Sequence, residues 1–134
     1  MLLQPKKTRY KKLRKGKLKY LKFNSYELNF GTIGLKSVNS GVISAKQLEA
    51  ARQAISRKTN RKGKIWIKVF PDTPVTAKPN ESRMGKGKGS VKYWVAKVRG
   101  GTTLFELCGI NSKIANTALK TGGAKLPIKT KVFY

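Results

Sequence analysis

Apolar residues recur along the chain at two spacings, and the shorter of them predicts several strands. Residues 26–43 alternate apolar side chains with glycine and polar residues, as short strands joined by tight turns do. Residues 64–70 place apolar side chains at every second position. Residues 91–99 and 102–108 predict two further strands. A last extended segment, 126–133, contains a proline that favours the edge of a sheet.

The connections between these strands carry turn residues. Gly100 and Gly101 separate two predicted strands. Because glycine tolerates the positive φ of primed two-residue turns, we expect a β-hairpin there. Three prolines within residues 71–79 predict a rigid connection with at most a short edge strand around Val75.

The longer spacing predicts a first helix. Ser44 and Gln47 stand three residues apart, as the two members of a capping box do. Leu48, Ala51 and Ile55 follow at helical spacing and predict a buried stripe.

A second helix should begin near Asn111 or Ser112, and the glycine pair at 122–123 should stop it. Its apolar positions are Ile114, Ala115, Ala118 and Leu119. The order of elements predicts an α+β fold with two helices packed on a mainly antiparallel sheet. We divide the chain into a basic N-terminal extension, residues 1–24, and one domain, residues 25–134.

The charge balance points to a polyanionic partner. The 134 residues include 31 Lys or Arg and 5 Asp or Glu, so the formal net charge is +26. A chain this short cannot bury that charge, and its surface must attract polyanions. Nucleic acid is the leading partner class, and an anionic membrane surface is the alternative. Hydrophobic residues make up 39% of the chain, which favours a folded domain over a disordered polymer.

Half of residues 4–23 are basic, and no acidic residue precedes Glu27. We expect this arm to follow an RNA backbone, with Tyr10 and Tyr20 able to stack on bases. A solvated mobile arm and an organellar transit peptide are the alternatives, although the arm has more lysine than transit peptides prefer. The arm cations expected to bind RNA are Lys6, Lys7, Arg9, Lys11, Lys12, Arg14 and Lys15.

A second group of cations accompanies the first helix. Arg52 and Arg57 point away from the apolar stripe, and Arg61 and Lys62 follow soon after. These four side chains either form a solvated face or bind phosphate. Because four positive charges lie within eleven residues, we favour phosphate binding.

Residues 83–90 read RMGKGKGS and predict a flexible, basic finger with close backbone access to a partner. An ordinary flexible linker is the alternative interpretation. A nucleotide-binding loop is not supported, because neither the phosphate-loop spacing nor the dinucleotide glycine spacing is met.

The sequence lacks the combinations of residues that catalysis or metal binding usually requires. The chain has no histidine and one cysteine, Cys108, which we expect to be a small core residue. Asp72, Glu81 and Glu106 are scattered and form no recognisable carboxylate pair. We therefore predict a protein that is not an enzyme and that uses no metal or cofactor.

Seven segments in a fixed order carry a family resemblance. They are MLLQPKKTRYKK at the start, FGTIGLKSV at 30–38, SAKQLEAARQAISR at 44–57, GKIWIKVFPDTPVTAKP at 63–79, RMGKGKGSVKYWVAKV at 83–98, LFELCGI at 104–110 and AKLPIKTK at 124–131. On these segments the chain resembles the bacterial-type large-subunit ribosomal protein sixteen, the universal family of that number.

The resemblance implies a structural role in the large ribosomal subunit. It implies binding to large-subunit rRNA, neighbouring ribosomal proteins, and tRNA in the aminoacyl and peptidyl sites near the peptidyl transferase centre, without self-association or a membrane partner. The family's tRNA-contacting loop matches Arg83, Met84, Gly85, Lys86, Gly87, Lys88 and Gly89. Arg83 matches a loop arginine that is oxidatively modified in some bacteria.

Two segments depart from the family pattern. Residues 17–29 match poorly, and residues 122–123 are glycines where relatives often carry alanines, so we expect a shortened or weakened second helix. The loop sequence, the excess of lysine over arginine and a family start at Met1, without a preceding transit peptide, favour a protein made inside an organelle. We therefore expect a mitochondrial ribosome in the matrix, with a plastid ribosome or the bacterial cytoplasm as alternatives.

Overall fold

The computed structural model describes residues 3–14, 16–18 and 27–134, within which seven strands and two helices form. Lys15 and Tyr20 lie outside the described residues. The strands are β1 (Ile33–Ser37), β2 (Gly41–Ser44), β3 (Lys64–Ile67), β4 (Thr73–Ala77), β5 (Ser90–Val98), β6 (Thr103–Cys108) and β7 (Thr130–Phe133). The helices are α1 (Ala45–Lys58) and α2 (Ser112–Gly123).

The strands form two sheets instead of one. One sheet has the order β3-β6-β1-β7, and the other has the order β2-β5-β4. Each pairing among the described strands is antiparallel. The predicted α+β class is confirmed. So are the edge positions of β4, which contains Pro74, and of β7.

The hairpin predicted at Gly100-Gly101 is wrong, because β5 and β6 belong to different sheets. The backbone N–H of Thr102 donates to the Arg99 carbonyl at 3.2 Å and closes a turn there. Ser37 on β1 holds this turn, since its hydroxyl donates to the same carbonyl at 2.7 Å. Both strands are central in their sheets, so each already pairs along both edges and the chain must cross between sheets.

The capping box of α1 is confirmed. The Gln47 N–H donates to the Ser44 hydroxyl at 3.3 Å, and the Ser44 N–H donates to the Gln47 side-chain oxygen at 2.9 Å. Leu48, Ala51 and Ile55 are buried, as their spacing predicted. This stripe faces a core built mainly from β1, β6 and both helices.

Helix α2 begins after Asn111, whose side chain accepts from the Lys113 N–H at 3.0 Å. Of its apolar positions, Ala115, Ala118 and Leu119 are buried, whereas Ile114 is 49% exposed. The strand predicted over 64–70 is shorter than expected, because β3 ends at Ile67.

The two glycines at the end of α2 serve close packing, Gly122 against α1 and Gly123 against Thr130 of β7. Both Gly122 and Gly123 are buried and lie within the last turn. A Cβ added at Gly122 would lie 2.5 Å from Cγ1 of Ile55 and 3.3 Å from the Ala51 carbonyl oxygen on α1. Glycine at this position lets α2 approach α1 more closely than alanine would.

Replacing Gly122 with alanine should therefore lower the free energy of unfolding by about 1 kcal/mol or more. Overpacking costs about 1–3 kcal/mol, and the gain in helix propensity, at most about 1 kcal/mol, offsets part of it. Urea denaturation measures the change, and Thr121→Ala on the exposed side of the same turn is the control. A stabilised Gly122→Ala variant would contradict the packing role.

The start of the basic arm is attached to the domain. Leu3 is buried among the core residues, whereas Lys6, Lys7 and Arg9 soon after it are exposed. The arm thus leaves directly from the hydrophobic core. Cys108, expected in the core, is half-buried at the end of β6.

Candidate nucleic-acid interface

The cations of the arm present their charge to solvent. The six that the structure describes are exposed: Lys6, Lys7, Arg9, Lys11, Lys12 and Arg14. Tyr10 is also exposed, and the guanidinium carbon of Arg9 lies 5.6 Å from its ring centroid. Exposed cations beside an exposed aromatic ring suit a phosphate backbone with accessible bases.

The arm and the Gly-Lys loop lie against each other, although they are far apart in sequence. The Lys12 ammonium donates to the Lys88 carbonyl oxygen at 2.6 Å. In return, the Lys88 ammonium donates to the carbonyl oxygen of Leu13. Residues 6–14 and 83–89 therefore form one continuous cationic surface, which we call the arm–loop surface.

The loop has an unusual backbone at its tip. Gly85, Lys86 and Gly87 have φ values of 96°, 53° and 86°, in the left-handed region that favours glycine. A Cβ added at either glycine would meet no atom within 4 Å, so these glycines serve conformation and not close packing. Lys78 supports the tip from below, since its ammonium donates to the Gly85 carbonyl oxygen.

The side chains of the loop project outward. Arg83, Lys86 and Lys88 are exposed, and Met84 is 99% exposed. Gly89 is half-buried at the base, where a Cβ would overlap the backbone of Ala77. The loop is thus held tightly at its base by β4 and open at its tip.

The four cations of the α1 region fall into two groups. Arg52 is half-buried and pairs with Glu49, with nitrogen–oxygen distances of 2.6 and 3.0 Å. The hydrogen bond from Arg52 lowers the pKa of Glu49, so this arginine already has an anionic partner. Arg57, Arg61 and Lys62 are exposed around the end of α1 and are the better candidates for phosphate.

A buried acidic residue is the feature that sequence reasoning missed. Glu106 on β6 has 0% exposure, and its carboxylate accepts from the N–H groups of Phe30 and Gly31 at 2.7 and 2.9 Å. The Asn29 N–H lies at 3.4 Å and the Lys68 ammonium at 3.5 Å. Burial raises the pKa of Glu106, but these donors outweigh it and hold the pKa below its ordinary value. A lone acid inside an apolar strand was the signal available in the sequence.

The described part of the chain holds no group of His, Cys, Asp or Glu side chains able to bind a metal ion. Among the helices of that same part, none has the length and apolar character needed to cross a bilayer.

These features define the class of protein: it is a small α+β protein whose exposed cations are gathered on an arm and an adjoining loop. The family model described as ribosomal protein L16p/L10e matches residues 5–133. The chain belongs to this ribosomal protein family.

Proteins named "Large ribosomal subunit protein uL16" are similar to the chain over most of its length. The protein of Bartonella henselae is 54% identical over 130 residues, which cover 97% of this chain and 95% of the relative. Those of Agrobacterium fabrum and Methylorubrum extorquens are 52% and 51% identical, with coverage of 95% or more of each chain. All three organisms are bacteria, so the comparisons do not support the expected mitochondrial location.

Proposed function

We propose that this protein is a structural component of the large ribosomal subunit and binds its rRNA. Family membership, the net charge of +26 and the similarity to proteins named for the large ribosomal subunit support this role. Residues 1–24 would act as the rRNA-binding arm of the domain formed by residues 25–134, alongside Arg57, Arg61 and Lys62 at the end of α1. The protein would contribute binding and positioning, not catalysis, in contact with neighbouring ribosomal proteins and without self-association.

The contact between arm and loop carries the finer part of the proposal, which is contact with tRNA. Because Lys12 and Lys88 exchange hydrogen bonds with each other's segment, rRNA bound along the arm would fix where the loop points. The exposed loop tip, with Arg83, Met84 and Lys86, would then reach a second RNA molecule. In a subunit that binds tRNA in the aminoacyl and peptidyl sites, that molecule is tRNA.

The cellular compartment of the protein is that of the ribosome to which it would belong. The relatives described above are bacterial, which favours the bacterial cytoplasm over the mitochondrial matrix or a plastid. The mitochondrial ribosome stays a prediction.

Replacing both Lys86 and Lys88 with alanine should leave entry into large subunits largely intact and weaken tRNA binding by about tenfold or more. The expectation follows from the loss of a charged donor at the tip, Lys86, and of the Lys88 hydrogen bond to the arm that would fix where the loop points. Sucrose-gradient analysis measures incorporation, and filter binding measures the affinity of the purified subunits for tRNA.

The control removes the same charge elsewhere, by replacing the exposed lysines Lys113 and Lys120 on α2. We expect that variant to bind tRNA normally. Loss of incorporation with normal tRNA affinity in the remaining particles would refute the role of the loop.

A further inference from the structure

Two aromatic rings stack on the outer surface of the four-stranded sheet. The ring centroids of Phe30 and Trp66 are 5.9 Å apart, and the ring planes are inclined by 19°. Phe30 precedes β1 and Trp66 lies within β3, so the pair joins two separate parts of the chain. Phe30 is nevertheless 59% exposed. A pair that served the core alone would be covered, whereas here Phe30 is exposed and Trp66 is only half-buried.

The position of Phe30 is fixed from beneath by the buried acid. The Phe30 and Gly31 N–H groups both donate to the same carboxylate oxygen of Glu106. Trp66 lies directly opposite Glu106 in the β3–β6 pairing, so the two side chains share one face of the sheet. The backbone beside Phe30 is also packed closely, because a Cβ at Gly31 would lie 2.7 Å from the Leu107 carbonyl oxygen. The exposed ring is therefore held in place before any partner arrives.

Two lysines flank the pair. The Lys68 ammonium lies 4.4 Å from the Phe30 ring centroid, and the Lys64 ammonium lies 5.1 Å from the ring of Trp66. Lys68 is held by Asn29, whose side-chain oxygen accepts from it at 3.0 Å, and by the Glu106 carboxylate at 3.5 Å, whereas Lys64 is exposed. Two cations beside an exposed aromatic surface match a nucleotide, in which a flat base is attached to a phosphate. An apolar protein segment would match the rings but not the charges.

We propose that Phe30 and Trp66 form a stacking platform for an unpaired RNA base, with the exposed Lys64 binding the adjoining phosphate. The proposal deepens the proposed function, since it rests on the protein being bound to RNA. The platform lies on β3 and on the segment before β1, so it adds an RNA contact that is separate from the residues of the arm–loop surface.

A fluorescence titration of the full chain tests the platform. The chain has two tryptophans, so Trp94→Phe leaves Trp66 as the reporter. We expect a short single-stranded RNA to quench Trp66 emission. An abasic oligomer of the same length supplies the phosphates without the bases, and we expect it to bind without quenching.

Substitutions in the same background separate stacking from charge. Phe30→Ala should weaken binding of the single-stranded RNA by about 5- to 100-fold, in line with the loss of one base–aromatic contact. It should leave the affinity for the abasic oligomer unchanged. Phe30→Tyr should retain RNA binding, and Phe70→Ala, at another exposed phenylalanine, should change neither affinity.

Loss of folding is controlled by Phe30→Leu, which keeps apolar packing against Trp66 but lacks an aromatic face, and by circular dichroism of each variant. The proposal is overturned if Phe30→Ala or Phe30→Leu binds the RNA as tightly as the parent chain, or if the abasic oligomer quenches equally. Should Phe30→Ala bind RNA normally yet fail to enter large subunits, the platform contacts a neighbouring protein. Failure of the parent chain to enter large subunits would instead refute the proposed function.

Discussion

Replacing Glu106 with alanine should lower the free energy of unfolding by about 2–6 kcal/mol, because two N–H donors lose their acceptor at a cost of about 1–3 kcal/mol each. The carboxylate is fully buried and accepts from the N–H groups of Phe30 and Gly31. Without it, these two N–H donors would lose their acceptor inside the fold, and the Lys68 ammonium would lose its carboxylate partner but keep Asn29. Urea denaturation of the isolated chain measures the loss.

Two variants establish whether charge or shape is responsible. Glu106→Gln keeps the size and one acceptor oxygen, so its loss of stability should be smaller than that of the alanine variant. Glu81→Ala removes an exposed acid and should change stability by less than about 0.5 kcal/mol. Equal stability of the parent chain and Glu106→Ala would show that this hydrogen-bonded site does not support the fold.

The dependence of stability on pH provides a second readout of the same carboxylate. The pKa of Glu106 is lower in the folded state than in the unfolded chain, so the unfolded state binds the proton more readily. The stabilisation is therefore complete above the unfolded pKa, about 4.3, and is lost as pH falls through the folded pKa. We expect Glu106→Gln to show a shallower loss of stability in acid than the parent chain does.

Removing the six described cations of the arm should weaken binding to large-subunit rRNA by about 100-fold or more at low salt. Each neutralised phosphate contributes about 0.7–0.9 to the slope of log affinity against log salt concentration, so the slope should become shallower by about 4 to 5. The variant replaces Lys6, Lys7, Arg9, Lys11, Lys12 and Arg14 with alanine. Filter binding of an rRNA fragment across a salt series measures both quantities.

A variant with the same loss of charge elsewhere distinguishes position from net charge. Its six substitutions to alanine, all at exposed lysines, are at Lys46, Lys92, Lys113, Lys120, Lys125 and Lys131. If the arm is the main binding element, this control should lose much less affinity than the arm variant. Equal losses would mean that the protein binds rRNA through its overall charge alone.

The elements set by local interactions could be predicted from the sequence. The α1 capping box depends on Ser44 and Gln47, three residues apart, and both of its hydrogen bonds form. The edge strand around Val75 follows from neighbouring prolines, which limit hydrogen bonding on one side. In both places the deciding atoms are close in sequence.

The features that could not be predicted depend on residues that are far apart in the sequence. Gly100-Gly101 has the composition of a hairpin turn, but the pairing of β5 with β2 and β4, and of β6 with β1 and β3, decides the path. Helix α2 ends at Gly123, as the glycine pair predicted, but the close approach of Ile55 to Gly122 cannot be seen in the α2 sequence.

In the candidate site too, features of local sequence could be predicted, whereas contacts between distant residues could not. Composition was sufficient to single out the arm and the loop as cationic segments. Their mutual contact through Lys12 and Lys88, the pairing of Arg52 with Glu49 and the role of Glu106 required the structure. A charge count treats Arg52 and Arg57 alike, although one has a carboxylate partner and the other is exposed to solvent.

The arm is secured at two points, because Leu3 is buried in the core and Lys12 is bound to the loop. A tail that is attached at one end only loses most of its conformational entropy when it binds a partner. The stretch between these two anchors has already lost much of that freedom during folding. A polyanion would therefore meet a preorganised segment. Less of the electrostatic attraction would be needed to offset lost conformational entropy, and the binding affinity would be higher.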